Sequence, residues 1–101
     1  MYDPKLHAVP PNCAYFRQFG GHTEFRKQDG WVAMSYVFQY ANDKWLRGIV
    51  CAVAESAWRR EAERLYNKAK GPHSEIREGL LMLAQTASDN ATAWAELGQA
   101  K

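Results

Sequence analysis

No stretch of this chain is apolar for more than six residues in a row. The longest, Ile49 to Ala54, is far short of the roughly 20 residues a membrane-spanning helix needs. Cysteine is scarce: Cys13 and Cys51 form no Cys-x-x-Cys and have no histidine at metal-ligand spacing. Neither a disulfide framework nor a metal site is therefore spelled out. His7, His22 and His73 are scattered, none four residues from another ligand, and each is expected to be a solvated surface residue. No glycine-rich phosphate loop is present, because Gly20-Gly21 has no helix following it. Met1 to Lys5 lack the apolar core of a signal peptide, so a cytoplasmic protein is expected. A dominant charge sign is missing too: the net charge is +2.

What is present argues for one folded domain. The 101 residues are 47% apolar and include four Trp, which excludes a disordered chain. Charge is distributed unevenly. Residues 43–70 carry seven basic and four acidic groups, whereas residues 71–101 carry two and four. A basic segment and an acidic one suit two helices lying side by side.

Residues 1–12 hold Pro4, Pro10 and Pro11 and no periodicity, and read as an extended or loosely docked arm. Residues 14–40 read as three antiparallel strands joined at Gly20-Gly21 and Asp29-Gly30, pairs that favour the φ > 0 of two-residue hairpins. The first turn sets Phe16 opposite Phe25; the second sets Phe25 opposite Met34 and Thr23 opposite Tyr36. One side of the sheet then carries Phe16, Phe25, Val32, Met34, Tyr36, Phe38 and Tyr40, the expected core face. The other side carries Tyr15, Arg17, Phe19, His22, Glu24, Arg26, Trp31, Ala33, Ser35 and Val37, with Arg17 across from Glu24 and Tyr15 across from Arg26.

A helix over 43–70 follows, opened by Asn42-Asp43 and stopped by Gly71-Pro72. At 1.5 Å per residue it runs about 40 Å, long for a domain whose radius of gyration should be about 13 Å. A second helix over 73–98 carries Ile76, Leu80, Leu83, Ala87, Ala91, Trp94 and Leu97 at spacings of three and four, with Ser88-Asp89-Asn90 as a place where it could break. The tight turn makes the two helices antiparallel and brings Trp94 to Ile49, Leu97 to Leu46, and Trp45 into the same cluster. The expected fold is α+β: a three-stranded antiparallel β-meander packed against a long antiparallel helical hairpin. Asn90-Ala91 followed by Trp94-x-x-Leu97-Gly98 resembles the opening of a tetratricopeptide repeat. The likeness covers about ten residues; Trp58, 36 residues upstream, is followed by Glu61-Ala62 where Leu-Gly would be needed. It implies good helix-pair sequence.

Residues that could carry chemistry are few. The helical carboxylates lie among arginines and read as solvated ion pairs, and a Cys13–His22 nucleophile pair has no third group to orient it. No catalytic residues, metal or cofactor are expected. The outer sheet face is the candidate site, with Tyr15, Arg17, Phe19, Arg26, Trp31 and Val37 as partner-binding residues, an aromatic-plus-arginine composition found in interface anchors. The expectation is a non-enzymatic protein-binding module, a small inhibitor or adaptor of a larger bacterial protein complex. The alternative is single-stranded nucleic-acid binding by the same face. A covering by the N-terminal arm would abolish both. The long helix admits a homodimer through α–α packing, or a hairpin that simply projects beyond the sheet.

Overall fold

A computed structural model describes residues 2–40, 44–72 and 74–99. The architecture is α+β. Strands β1 (Phe16–Phe19), β2 (His22–Lys27) and β3 (Gly30–Ala33) form an antiparallel sheet in the order β1-β2-β3. A π-helical turn (Tyr36–Tyr40) leads toward helix α1 (Lys44–Ala69), and a 3-10 turn (Ser74–Ile76) leads into helix α2 (Arg77–Gln99). The predicted caps Asn42 and Asp43 lie outside the described residues, as does His73. No described helix is long and apolar enough to cross a membrane.

The first hairpin is built as its glycines dictate. Gly20 and Gly21 adopt φ of 58° and 81°, and Phe16 stands opposite Phe25. The second hairpin differs from expectation by two residues in register. Its loop is Gln28-Asp29, closed by a Lys27–Asp29 ion pair of 3.3 Å, and Gly30 (φ 140°) opens β3 rather than completing the turn. Phe25 therefore faces Val32, and Arg26 faces Trp31. A shift of two leaves every side chain on its predicted side, because the pleat repeats every two residues. The third strand is nevertheless shorter than expected. β3 pairs only as far as Ala33, opposite Glu24, and from Met34 the backbone is helical, although β2 extends two residues further, to His22. Met34 and Val37, three residues apart, are then buried, while Tyr36 is exposed. Both assignments reverse the strand alternation expected for Tyr36 and Val37.

The sheet's inner face and the first half of the hairpin share one core: Phe16, Phe25, Met34 and Val37 against Val50, Cys51, Ala54, Trp94 and Leu97. Trp45 does not join it and is 76% exposed. At the crossing of the helices Gly98 lies so close to Cys51 that an added Cβ would sit 2.9 Å from the Cys51 Cβ. The distal half of the hairpin has a second, thinner core of Ala62, Leu65, Ala69, Leu80, Ala84 and Ala87. The sparse stripe of α1 that admitted a second subunit is thus covered within the chain. α2 runs unbroken through Ser88-Asn90, and its buried stripe leaves Ile76 and Leu83 exposed. The Arg77 guanidinium donates to the Ala69 carbonyl (3.1 Å), satisfying one of the free carbonyls at the end of α1.

The N-terminal arm is firmly docked. The Ala8 carbonyl accepts two indole N–H groups, from Trp58 (2.9 Å) and Trp94 (3.0 Å). Tyr2 stacks on Phe38, and His7 packs edge-on against Trp94. His7 is 5% exposed, which corrects the expectation of a solvated side chain. Its Nδ1 lies 3.2 Å from both the amide and the carbonyl of Asp3, so the turn at residues 3–7 supplies the polar partners that burial demands.

Candidate functional site

All of these arm contacts fall on the core side of the sheet. On the outer side, alternation places Arg17 and Phe19 from β1, His22, Glu24 and Arg26 from β2, and Trp31 and Ala33 from β3. The guanidinium of Arg17 is the centre of the arrangement. It lies 4.2 Å from the Trp31 ring centroid and 4.7 Å from that of Phe19. Its Nε and Nη2 both donate to Oε1 of Glu24 at 2.7 Å. His22 Nε2 approaches the other carboxylate oxygen at 3.4 Å.

Two features of the sequence make this stack. Arg17 and Glu24 are direct cross-strand partners, and Ala33, opposite Glu24 on β3, is too small to fill the space above it. Trp31 can therefore lean across β2 to reach Arg17. The two-residue register shift is what sets Ala33 and Trp31 in these places. Hydrogen bonding to Arg17, and more weakly to His22, holds the Glu24 carboxyl below its usual range. The result is a patch with two aromatic rings in which the charges of Arg17 and Glu24 cancel. Each cation–π contact is worth about 0.5–1 kcal/mol at such exposure.

The six residues expected here separate into three groups. Arg17, Phe19, Arg26 and Trp31 share the outer face; Phe19 is 59% exposed, and the Arg26 guanidinium lies 5.8 Å from the Trp31 ring. Tyr15 turns away. Its carbonyl accepts the Arg26 amide (2.8 Å), but its ring stacks with Phe25, so the cation–π partner of Arg26 is Trp31 and not Tyr15. Val37 is fully buried and is removed from the site, because the chain has left the sheet before reaching it.

Tyr15 belongs instead to a groove of about 680 Å³ at the end of the sheet, walled by Phe25 and by Trp45, Leu46, Ile49 and Val53 of α1. Arg26, Lys27, Gln28 and Asp29 complete its lining. Trp45 was missed as a surface residue, yet the helix phase carries the signal. Val50 and Ala54 define the buried stripe of α1, and at 100° per residue Trp45 lies about 140° from Val50.

Cys13 and His22 are not brought together. Cys13 lines a small cleft with Arg60 and Arg64, whereas His22 lines another with Tyr2 and His7. Both cysteines are free. Among the described residues no three His, Cys, Asp or Glu side chains converge as metal ligands would.

The tetratricopeptide-like residues have local explanations: Trp94 holds the Ala8 carbonyl, and Gly98 permits the close helix crossing at Cys51. Comparison of the chain with protein-family models, with curated proteins and with solved structures gives no match in any of the three.

Proposed function

We propose that the chain is a non-enzymatic protein-binding module, acting as a small inhibitor or adaptor of a larger complex through Phe19, Arg17, Trp31 and Arg26. The observation that carries this reading is the Arg17 guanidinium held between two aromatic rings with its charge answered by Glu24. Such a patch offers preorganised aromatic and arginine surface, the material of protein hot spots, at little ordering cost on binding. The same detail weighs against single-stranded nucleic acid. A phosphate-tracking groove needs several unpaired cations, and on this face Glu24 already occupies Arg17 and attracts His22, which leaves Arg26.

The test is binding by a Phe19→Ala/Trp31→Ala double variant. Both side chains lie outside the core, so the far-ultraviolet circular dichroism should be unchanged. A protein partner recovered by the wild-type chain in near-equal proportion should be lost with the variant. Recovery undiminished by the variant would place the interface elsewhere. An oligonucleotide that binds the wild-type chain and dissociates steeply with log[salt] would transfer the face to nucleic acid.

A further inference from the structure

We infer that the groove between the end of the sheet and the first turns of α1 receives a segment of the partner protein in which an apolar side chain stands beside a carboxylate. The inference rests on the protein-binding reading and names the chemistry of the partner. Two observations lead to it, one about shape and one about charge.

The volume of the groove, about 680 Å³, falls in the range of small-molecule sites, but its walls do not enclose. Trp45 is 76% and Tyr15 53% exposed, whereas a small-molecule site buries most of its ligand. A trough with one apolar floor and exposed aromatic lips is completed when a second protein surface closes over it and inserts a side chain. The floor of Phe25, Ile49 and Val53 suits an aliphatic or aromatic residue.

The charge of the lining residues selects the neighbour of that residue. Arg17, Arg59, Arg64 and Lys27 are each paired with a carboxylate, of Glu24, Glu55, Glu61 and Asp29 respectively. Arg26 has no such pair among the described residues; its one contact of this kind is the distant Trp31 ring. Two cations and one carboxylate, Arg26, Lys27 and Asp29, give the lining residues one positive charge in excess. Arg26 also belongs to the outer face, where its guanidinium lies 5.8 Å from the Trp31 ring, so one residue joins the groove to the Phe19–Arg17–Trp31 patch. A partner lying across both surfaces meets Arg26 at the seam, where a carboxylate is the complementary group.

The experiment titrates the isotope-labelled full chain with the peptide acetyl-Asp-Phe-Leu-amide and with its Asn counterpart, followed by amide nuclear magnetic resonance. Shifts are expected at the Trp45 indole N–H and at the amides of Ile49 and Val53. The Asp peptide should bind about fivefold more tightly than the Asn peptide, the increment of an exposed ion pair. Arg26→Gln should erase that difference, and Arg26→Lys should keep most of it. Arg26 is exposed and has no carboxylate partner among the described residues, so both variants should keep the native spectrum away from the groove. Equal affinity for the two peptides, shifts confined to other surfaces, or no shifts at millimolar peptide would each overturn the inference. Phe19 and Trp31 do not line the groove, so failure here leaves the outer-face test to stand or fall separately.

Discussion

At the scale of single residues, the Ala8 carbonyl and Cys51 make the sharpest claims. Two indole N–H groups share one acceptor. Trp58→Phe should therefore cost about 1 kcal/mol, one net hydrogen bond, because Trp94 still satisfies the carbonyl. Trp94→Ala should cost about 3–5 kcal/mol, since that side chain is fully buried in the main core. Urea titration of the two variants measures both. Near-equal losses would show that burial of the Trp94 ring does not supply the difference. Burial pushes the Cys51 thiol from 9.0 up to about 11, and burial also raises the Tyr2 phenol above 10.0. In each case the folded state keeps a proton that the unfolded chain releases. The Cys51 contribution is thus full below pH 9.0 and lost as the pH rises through about 11, whereas that of Tyr2 is full below pH 10.0 and declines above it. Cys51→Ala should flatten the first part of the alkaline decline and leave the part due to Tyr2. An unchanged pH–stability curve would count against this assignment.

At the scale of elements, two glycines of α2 have opposite meanings. An alanine at Gly79 meets nothing within 4 Å and gains helix propensity, so Gly79→Ala should stabilise by up to about 1 kcal/mol. Gly98→Ala drives a Cβ to 2.9 Å from the Cys51 Cβ, an atom that cannot swing aside, and should destabilise by about 1–3 kcal/mol. Thermal unfolding of the pair gives the comparison, and a stabilising Gly98→Ala would mean that the helices part easily. Much at this scale was legible beforehand. The Gly20-Gly21 turn names its own register, because only residues content with φ > 0 fit there, and the Arg17–Glu24 pair followed from it. The α+β hairpin-on-meander arrangement followed from apolar spacing and the Gly71-Pro72 stop. The end of β3 was not legible, since residues 34–40 alternate as a strand would, yet the chain turns helical at Met34 before β2 runs out at His22. That early turn misplaced Tyr36 and Val37. The Arg17–Trp31 stack was hidden for a related reason: it needs the register of the second hairpin, where two loops one residue apart give the same apolar face. The docking of the arm depends on two indoles 50 and 86 residues away, which no local pattern can announce.

At the scale of the whole molecule, the chain is elongated, 48 × 27 × 21 Å with a radius of gyration of 14.9 Å, against about 13 Å for a compact domain of this size. The excess is the distal hairpin, whose core is mostly alanine, while the sheet end is held by Phe, Val and Trp. Little apolar area per residue is buried there, so the two ends should not open together. Hydrogen exchange should be faster by at least about tenfold at the amides of Leu65 and Ala84 than at those of Val50 and Trp94. Uniform exchange would show that the hairpin behaves as one cooperative rod. The same asymmetry leaves the proposed recognition surfaces on the better-packed end, where a binding patch can stay rigid.

The strap that reaches from residue 2 to Pro10 is made before its dock, which is built from Trp58 and Trp94 and does not exist until both helices have met. Its order of emergence is therefore the reverse of its order of settling. A nascent chain would carry this segment loose until Trp94 has been made, and close it by a contact spanning 86 positions.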